Sequence, residues 1–123
     1  MRRAHWWVGT VTLVVFLGTG AYMRWIHTPP MDQLGDATRA VYRSRHLFIM
    51  LGALANLALG NSTGTGLDRV ISVLVLGAPA LLIAGFFTEP EHGIYGGPWS
   101  QIGLYLLFAA AALLVVRRFR ERS

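Results

Sequence analysis

Between Arg3 and Arg24 the chain runs for twenty residues, AHWWVGTVTLVVFLGTGAYM, without a formal charge. At about 1.5 Å of rise per residue this makes roughly 30 Å of helix, the thickness of a bilayer's hydrocarbon core. Backbone polar groups in lipid must be satisfied internally, so such a segment is expected to be a spanning helix. Trp6 and Trp7 mark one end and Trp25 the other, where aromatic belts sit at membrane interfaces. A signal peptide competes, because MRR is a basic leader and GTGA offers small residues for cleavage. The length of the apolar run, and Arg24 and Trp25 as an interface anchor, favour a retained span.

The rest of the chain has the same character. Of its 123 residues 54% are hydrophobic and 14% charged, with a mean hydropathy of +0.47, which argues against a soluble domain and for one small polytopic membrane domain. HTPPMDQLGD ends the first helix, because paired prolines remove donors and restrict the preceding residue. Val70 to Phe87 is an eighteen-residue apolar run with Pro79 near its middle, where a kink is expected. NSTGTG precedes it as a polar turn, with Asp68 as a candidate cap. TEPEHGIYGGPWS reads as an extramembrane, solvated loop, and Gln101 to Val116 as the last span, closed by RRFRERS.

The second run is the difficult one. Leu47 to Gly60 is fourteen residues, roughly 21 Å of helix, too short to cross. Its helix must therefore begin near Ala37 and carry Arg39, Arg43, Arg45 and His46 with it. On such a helix Arg39, Arg43, His46 and Met50 share one stripe. Tyr42, Arg45, Ile49, Gly52 and Asn56 share another about 100° away. Gly52, Asn56 and Gly60, four apart, read as a helix-packing groove with Asn56 hydrogen-bonding across it. Ala109 to Ala112 and the glycines at 18, 20, 77 and 85 read as packing positions too.

All eleven basic residues are arginine, which fits either bidentate anion binding or genomic composition. The net charge of +5 does not point to nucleic acid, because the arginines gather at the ends of apolar runs. With both termini cytoplasmic, Arg2, Arg3, Arg69, Arg117, Arg118, Arg120 and Arg122 lie inside, against Arg24, Arg39, Arg43 and Arg45 outside. The arginine-rich first loop is the dissenting feature.

Two constellations fall on the outer side of that topology. Arg24, Arg43 and Arg45, with Asn56 and Tyr22, are candidates for an anion or lipid headgroup, with lipid anchoring as the structural alternative. His27, His46 and His92 are candidate metal ligands, near Glu89, Glu91, Asp32 and several methionines. Their spacing lacks a metal motif, and bis-histidine haem is disfavoured because only His46 is firmly helical. His5 lies on the opposite side and serves neither site. No nucleophile elbow, phosphate-binding loop or intramembrane acid pair occurs, so neither an enzyme nor a cofactor is expected. Without cysteine there are no thiol ligands or disulfides.

TGAYMRW, YRSRHLFIML and ALANLALG together resemble a group of small bacterial inner-membrane proteins, over about the first half of the chain. The resemblance implies a bacterial inner membrane and four helices, and no activity. The expectation is an all-α, up-and-down bundle of four transmembrane helices, with spans of about 5–26, 38–60, 69–87 and 99–116 and both termini cytoplasmic. Its function is expected to be that of a structural or accessory component, assembling with itself or a larger membrane complex. The alternative is a small transporter or binding protein with the outer-side site.

Overall fold

The computed structural model describes residues 2–61, 69–90 and 98–122. Among these there are four long helices and no strand: α1, Arg2–Ala21; α2, Asp36–Gly60; α3, Arg69–Thr88; and α4, Trp99–Arg122. α1 continues through a π-helical turn, Tyr22–Ile26, closed by the His27 N–H donating to Tyr22 O at 2.9 Å. His27 is extended, the chain bends at Thr28 and Pro29, and a short 3₁₀ turn at Met31–Gln33 leads into α2. Three helices are long and apolar enough to cross a membrane: Arg2–Ile26, Arg69–Thr88 and Trp99–Arg122.

The helices form because backbone polar groups in apolar surroundings must be satisfied within the segment itself. Hydroxyls that would otherwise disturb them bond back to their own turns: Thr10 to Trp6 O, Thr12 to Val8 O, Ser44 to Val41 O and Thr88 to Ala84 O, which satisfies them in apolar surroundings. α2 starts at Asp36, whose carboxylate suits the positive end of the helix dipole. It ends at Asn61, whose side chain and backbone N–H both donate to Leu57 O. α3 continues helically through the buried Pro79.

Sequence neighbours run antiparallel. Trp6 meets Gly60 and Gly20 meets His46 between α1 and α2; Asn56 meets Val75 and Gly52 meets Leu82 between α2 and α3; Leu82 meets Gly103 between α3 and α4. The first and last described residues therefore lie at the same end of an up-and-down bundle. The core, Tyr42, Ile49, Ile71, Val75, Ala78, Leu82, Phe86, Leu107 and Ala110, lies among α2, α3 and α4. Outward faces are apolar: Trp7, Val11, Val14 and Leu17 on α1 and Tyr105, Phe108, Val115 and Phe119 on α4 are exposed.

Glycines set the closest approaches. A Cβ at Gly60 would stand 2.8 Å from Trp6 N, one at Gly9 2.8 Å from Leu57 N, and one at Gly103 2.8 Å from Leu82 Cδ2. At Gly85 it would run into Ser100 Oγ. The expected small-residue positions divide into two groups. Gly20 and Gly85 pack, whereas Gly18 and Gly77 have nothing within 4 Å, and of the four alanines only Ala110 is buried. Nor is Gly52 to Gly60 one groove. Gly52 faces Pro79 and Leu82 of α3, while Gly60 faces the Trp6 backbone of α1.

Candidate functional site

Asn56 stands between those two glycines and links three helices. Its Nδ2 donates to Gly52 O at 3.0 Å on its own helix and to Val75 O at 2.9 Å on α3. Both amide protons are thereby used, so Oδ1 accepts, and its partner is His5 Nδ1 of α1 at 2.9 Å. His5 is therefore the Nδ1–H tautomer. Both side chains are fully buried, and His5 Nε2 and the Ser72 hydroxyl are buried without a hydrogen-bond partner among the described residues. His5 thus belongs to a polar cluster the sequence did not suggest. The available signal was axial position: an antiparallel α1 brings its first turns to the last turns of α2.

A second link closes the other end. Arg45 Nε donates to Glu89 Oε2 at 2.6 Å, and the Ser100 backbone N–H donates to Glu89 Oε1 at 2.8 Å. One carboxylate just past α3 therefore holds α2 and the first turn of α4. Glu89 is 0% exposed and the Arg45 side chain 17%, so the solvated-loop expectation for TEPEH fails at Glu89. Residues 91–97 lie outside the described residues. Burial acts to raise the Glu89 carboxyl pKa, but hydrogen bonds from Ser100 and Arg45 and the Arg45 charge outweigh it and hold it below the usual range. Arg45 also donates to Ser44 Oγ at 3.0 Å and lies over the Phe48 ring, 5.5 Å from its centroid. Helical side chains lean towards the N-terminus. From α2 that direction carries the guanidinium towards the Glu89 rim.

The histidines of this half bind protein groups. Thr19 gives its hydroxyl proton to Phe16 O, so His46 Nδ1 donates to Thr19 Oγ1 at 2.9 Å, with the ring stacked on Phe16 at 4.2 Å. His27 Nδ1 donates to Pro29 O at 2.7 Å, and Nε2 accepts from the Tyr42 hydroxyl at 3.0 Å. Phe86 is ringed by Tyr22, Tyr42, His46 and Phe87. His92 lies outside the described residues. Among those described, no three histidines or acids stand close enough to hold a metal.

The anion candidates separate. Arg24 is exposed and lies over the Trp25 ring, 5.6 Å from its centroid; Arg43 is exposed on α2; Arg45 is turned inward. Asn56 lies eleven residues beyond Arg45 on one helix, about 16 Å away, at the opposite end of the bundle. The structure therefore splits the expected constellation into an exposed arginine rim, a buried ion pair and a remote amide. No family model, no curated protein and no solved structure matches this chain.

Proposed function

We propose that the chain is a four-span protein of a bacterial inner membrane, both termini cytoplasmic, serving as a non-enzymatic structural or accessory component of a membrane assembly. One observation carries this reading: Arg45 and Asn56, the interior groups best suited to grip a ligand, are spent on protein partners. Arg45 is engaged by Glu89, and Asn56 by His5 and Val75, so the side chains a central ligand would need already hold helices together. What remains for recognition is the outer surface of the bundle. α2 is the fourth span in this reading, its inward arginine neutralised by Glu89.

Purification in mild detergent after in-cell crosslinking, followed by native mass spectrometry, tests it. Partner chains or further copies retained in fixed ratio are the expected outcome. A monomer retaining no protein would sink the accessory role.

A second reading is favoured by the exposed Arg24 and Arg43 on the rim that carries His27. There they would hold an anion or lipid headgroup, as in a small transporter or binding protein. Loss of phosphate binding in Arg24→Ala or Arg43→Ala, with helix content unchanged, would favour it over the first.

A further inference from the structure

We propose that the projecting end of α4 is a binding site for an anionic phospholipid, Arg118 and Arg122 holding its phosphate and Val115 and Phe119 its glycerol and upper acyl chain. This rests on the reading that the bundle spans a membrane.

The register locates the membrane face. Trp6 meets Gly60, the Asn56 to Val75 bond puts Gly60 level with Ile71, and the Leu82 to Gly103 contact puts Ile71 level with Leu114. Trp6 and Trp7, 42% and 57% exposed, mark this level as the interface. By the same register Arg69, where α3 begins, is level with Val116, and α4 runs on to Arg122. Arg118 and Arg122 therefore stand about 6 and 12 Å beyond Leu114, against an interfacial layer roughly 5–8 Å thick. α4 leaves the membrane at this end, so its side chains lean back towards it. That lean brings the Arg122 guanidinium towards the layer where Arg118 already lies.

The chemistry of the stripe is that of one lipid. Leu114, Val115, Arg118, Phe119 and Arg122 line one groove along α4. Phe119 is 70% and Val115 53% exposed, one between the two arginines and one on the membrane side of both, so the partner must be apolar beside its charge. Two arginines one turn apart suit a phosphate, which each can grip bidentately. The surrounding field has the matching sign. Arg2, Arg3, Arg69, Arg117 and Arg120 share this end, and its one described acid, Glu121, is paired with Arg117 at 3.0 Å. The opposite rim carries a smaller excess, since of Arg24, Arg39, Arg43 and Arg45 two are paired, Arg39 with Asp36 and Arg45 with Glu89. An acidic peptide or nucleic acid would match the charge but leave Phe119 and Val115 without an apolar partner.

The test uses the full chain in mild detergent, with native mass spectrometry against phosphatidylglycerol and phosphatidylcholine of identical acyl chains. Wild type should prefer phosphatidylglycerol by about tenfold, and Arg118→Ala with Arg122→Ala should reduce the preference to within about twofold. Arg2→Ala with Arg3→Ala removes equal charge from the same end and should retain it. Phe119→Ala should weaken both lipids alike. Three results would overturn the proposal: no wild-type preference, equal loss in the Arg2 and Arg3 variant, or displacement of the lipid by equimolar inorganic phosphate. Release of wild-type chain from membranes by alkaline carbonate would refute the spanning reading itself.

Discussion

At the scale of single residues, Arg45 and Glu89 form an ion pair whose carboxylate is fully buried. A buried pair is expensive to half-remove, because the survivor is left charged without a partner. Arg45→Ala or Glu89→Gln should each cost about 3–5 kcal/mol, whereas replacing both with apolar residues of similar volume should cost far less. Reversible unfolding in mixed detergent micelles measures all four corners of that cycle. The pH dependence has a definite sign. The Glu89 carboxyl titrates lower folded than unfolded, so its stabilisation is complete above the unfolded value of about 4.3. It is lost as the pH falls through the lower folded value. Wild type should therefore lose stability on acidification through that range, and Glu89→Gln should lose that component of the dependence. Gly85 supports the same link sterically: any Cβ there runs into Ser100 Oγ, so Gly85→Ala should push α4 away from Glu89. A drop of about 1–3 kcal/mol is expected for such overpacking, and an unchanged unfolding midpoint would show that α4 shifts freely.

At the scale of elements, α2 shows what the sequence could and could not reveal. A fourteen-residue apolar run cannot cross a membrane, and that length argument extends the helix back through the arginines; α2 begins at Asp36. The stripe of Tyr42, Arg45, Ile49, Gly52 and Asn56 was also readable, since helical periodicity fixes which residues share a face. Their partners were not. Glu89 and Asn56 each bond a residue more than forty positions away, and periodicity within one helix carries no information about its neighbour's register. The same limit explains the glycines, because composition marks a small residue but not the direction it faces. Gly9 and Gly18 therefore make an informative pair on α1. Gly9→Ala should loosen the crossing with α2, where the Leu57 backbone blocks a Cβ, while Gly18→Ala meets open space and should be neutral or gain up to about 1 kcal/mol from helix propensity. Whether α2 spans is a separate question with a direct measurement. The chain has no cysteine, so Thr38→Cys and Asn61→Cys introduce single labels at the two ends of α2. A membrane-impermeant maleimide applied to sealed vesicles should reach one of them and not the other, and labelling of both from the same side would show that α2 lies on the membrane.

At the scale of the whole molecule, the distribution of charge decides orientation. The arginines at 24, 39, 43 and 45, one after α1 and three in the first turns of α2, oppose cytoplasmic termini when arginines are merely counted. The structure gives two of those four a local role: Arg39 pairs with Asp36 and Arg45 with Glu89. At the terminal end seven arginines face one described acid. Acids contribute little to topology during insertion, so it is the number and position of the arginines that must set the bias. Four of the seven belong to the end of α4, the last helix along the chain. Removing them by Arg117→Ala, Arg118→Ala, Arg120→Ala and Arg122→Ala leaves Arg2, Arg3 and Arg69 against Arg24, Arg39, Arg43 and Arg45. The bias is then nearly balanced, and the chain should insert in both orientations. A C-terminal green fluorescent protein folds and fluoresces only on the cytoplasmic side, whereas a C-terminal alkaline phosphatase is active only on the far side. Wild-type fusions should show the first signal alone, and the four-alanine fusions should show both. A four-alanine protein that still reports only a cytoplasmic C-terminus would place the decision with Arg2 and Arg3 on the first helix. The bundle itself would survive, since Ala110 is the last buried residue of α4 and the four arginines lie beyond it.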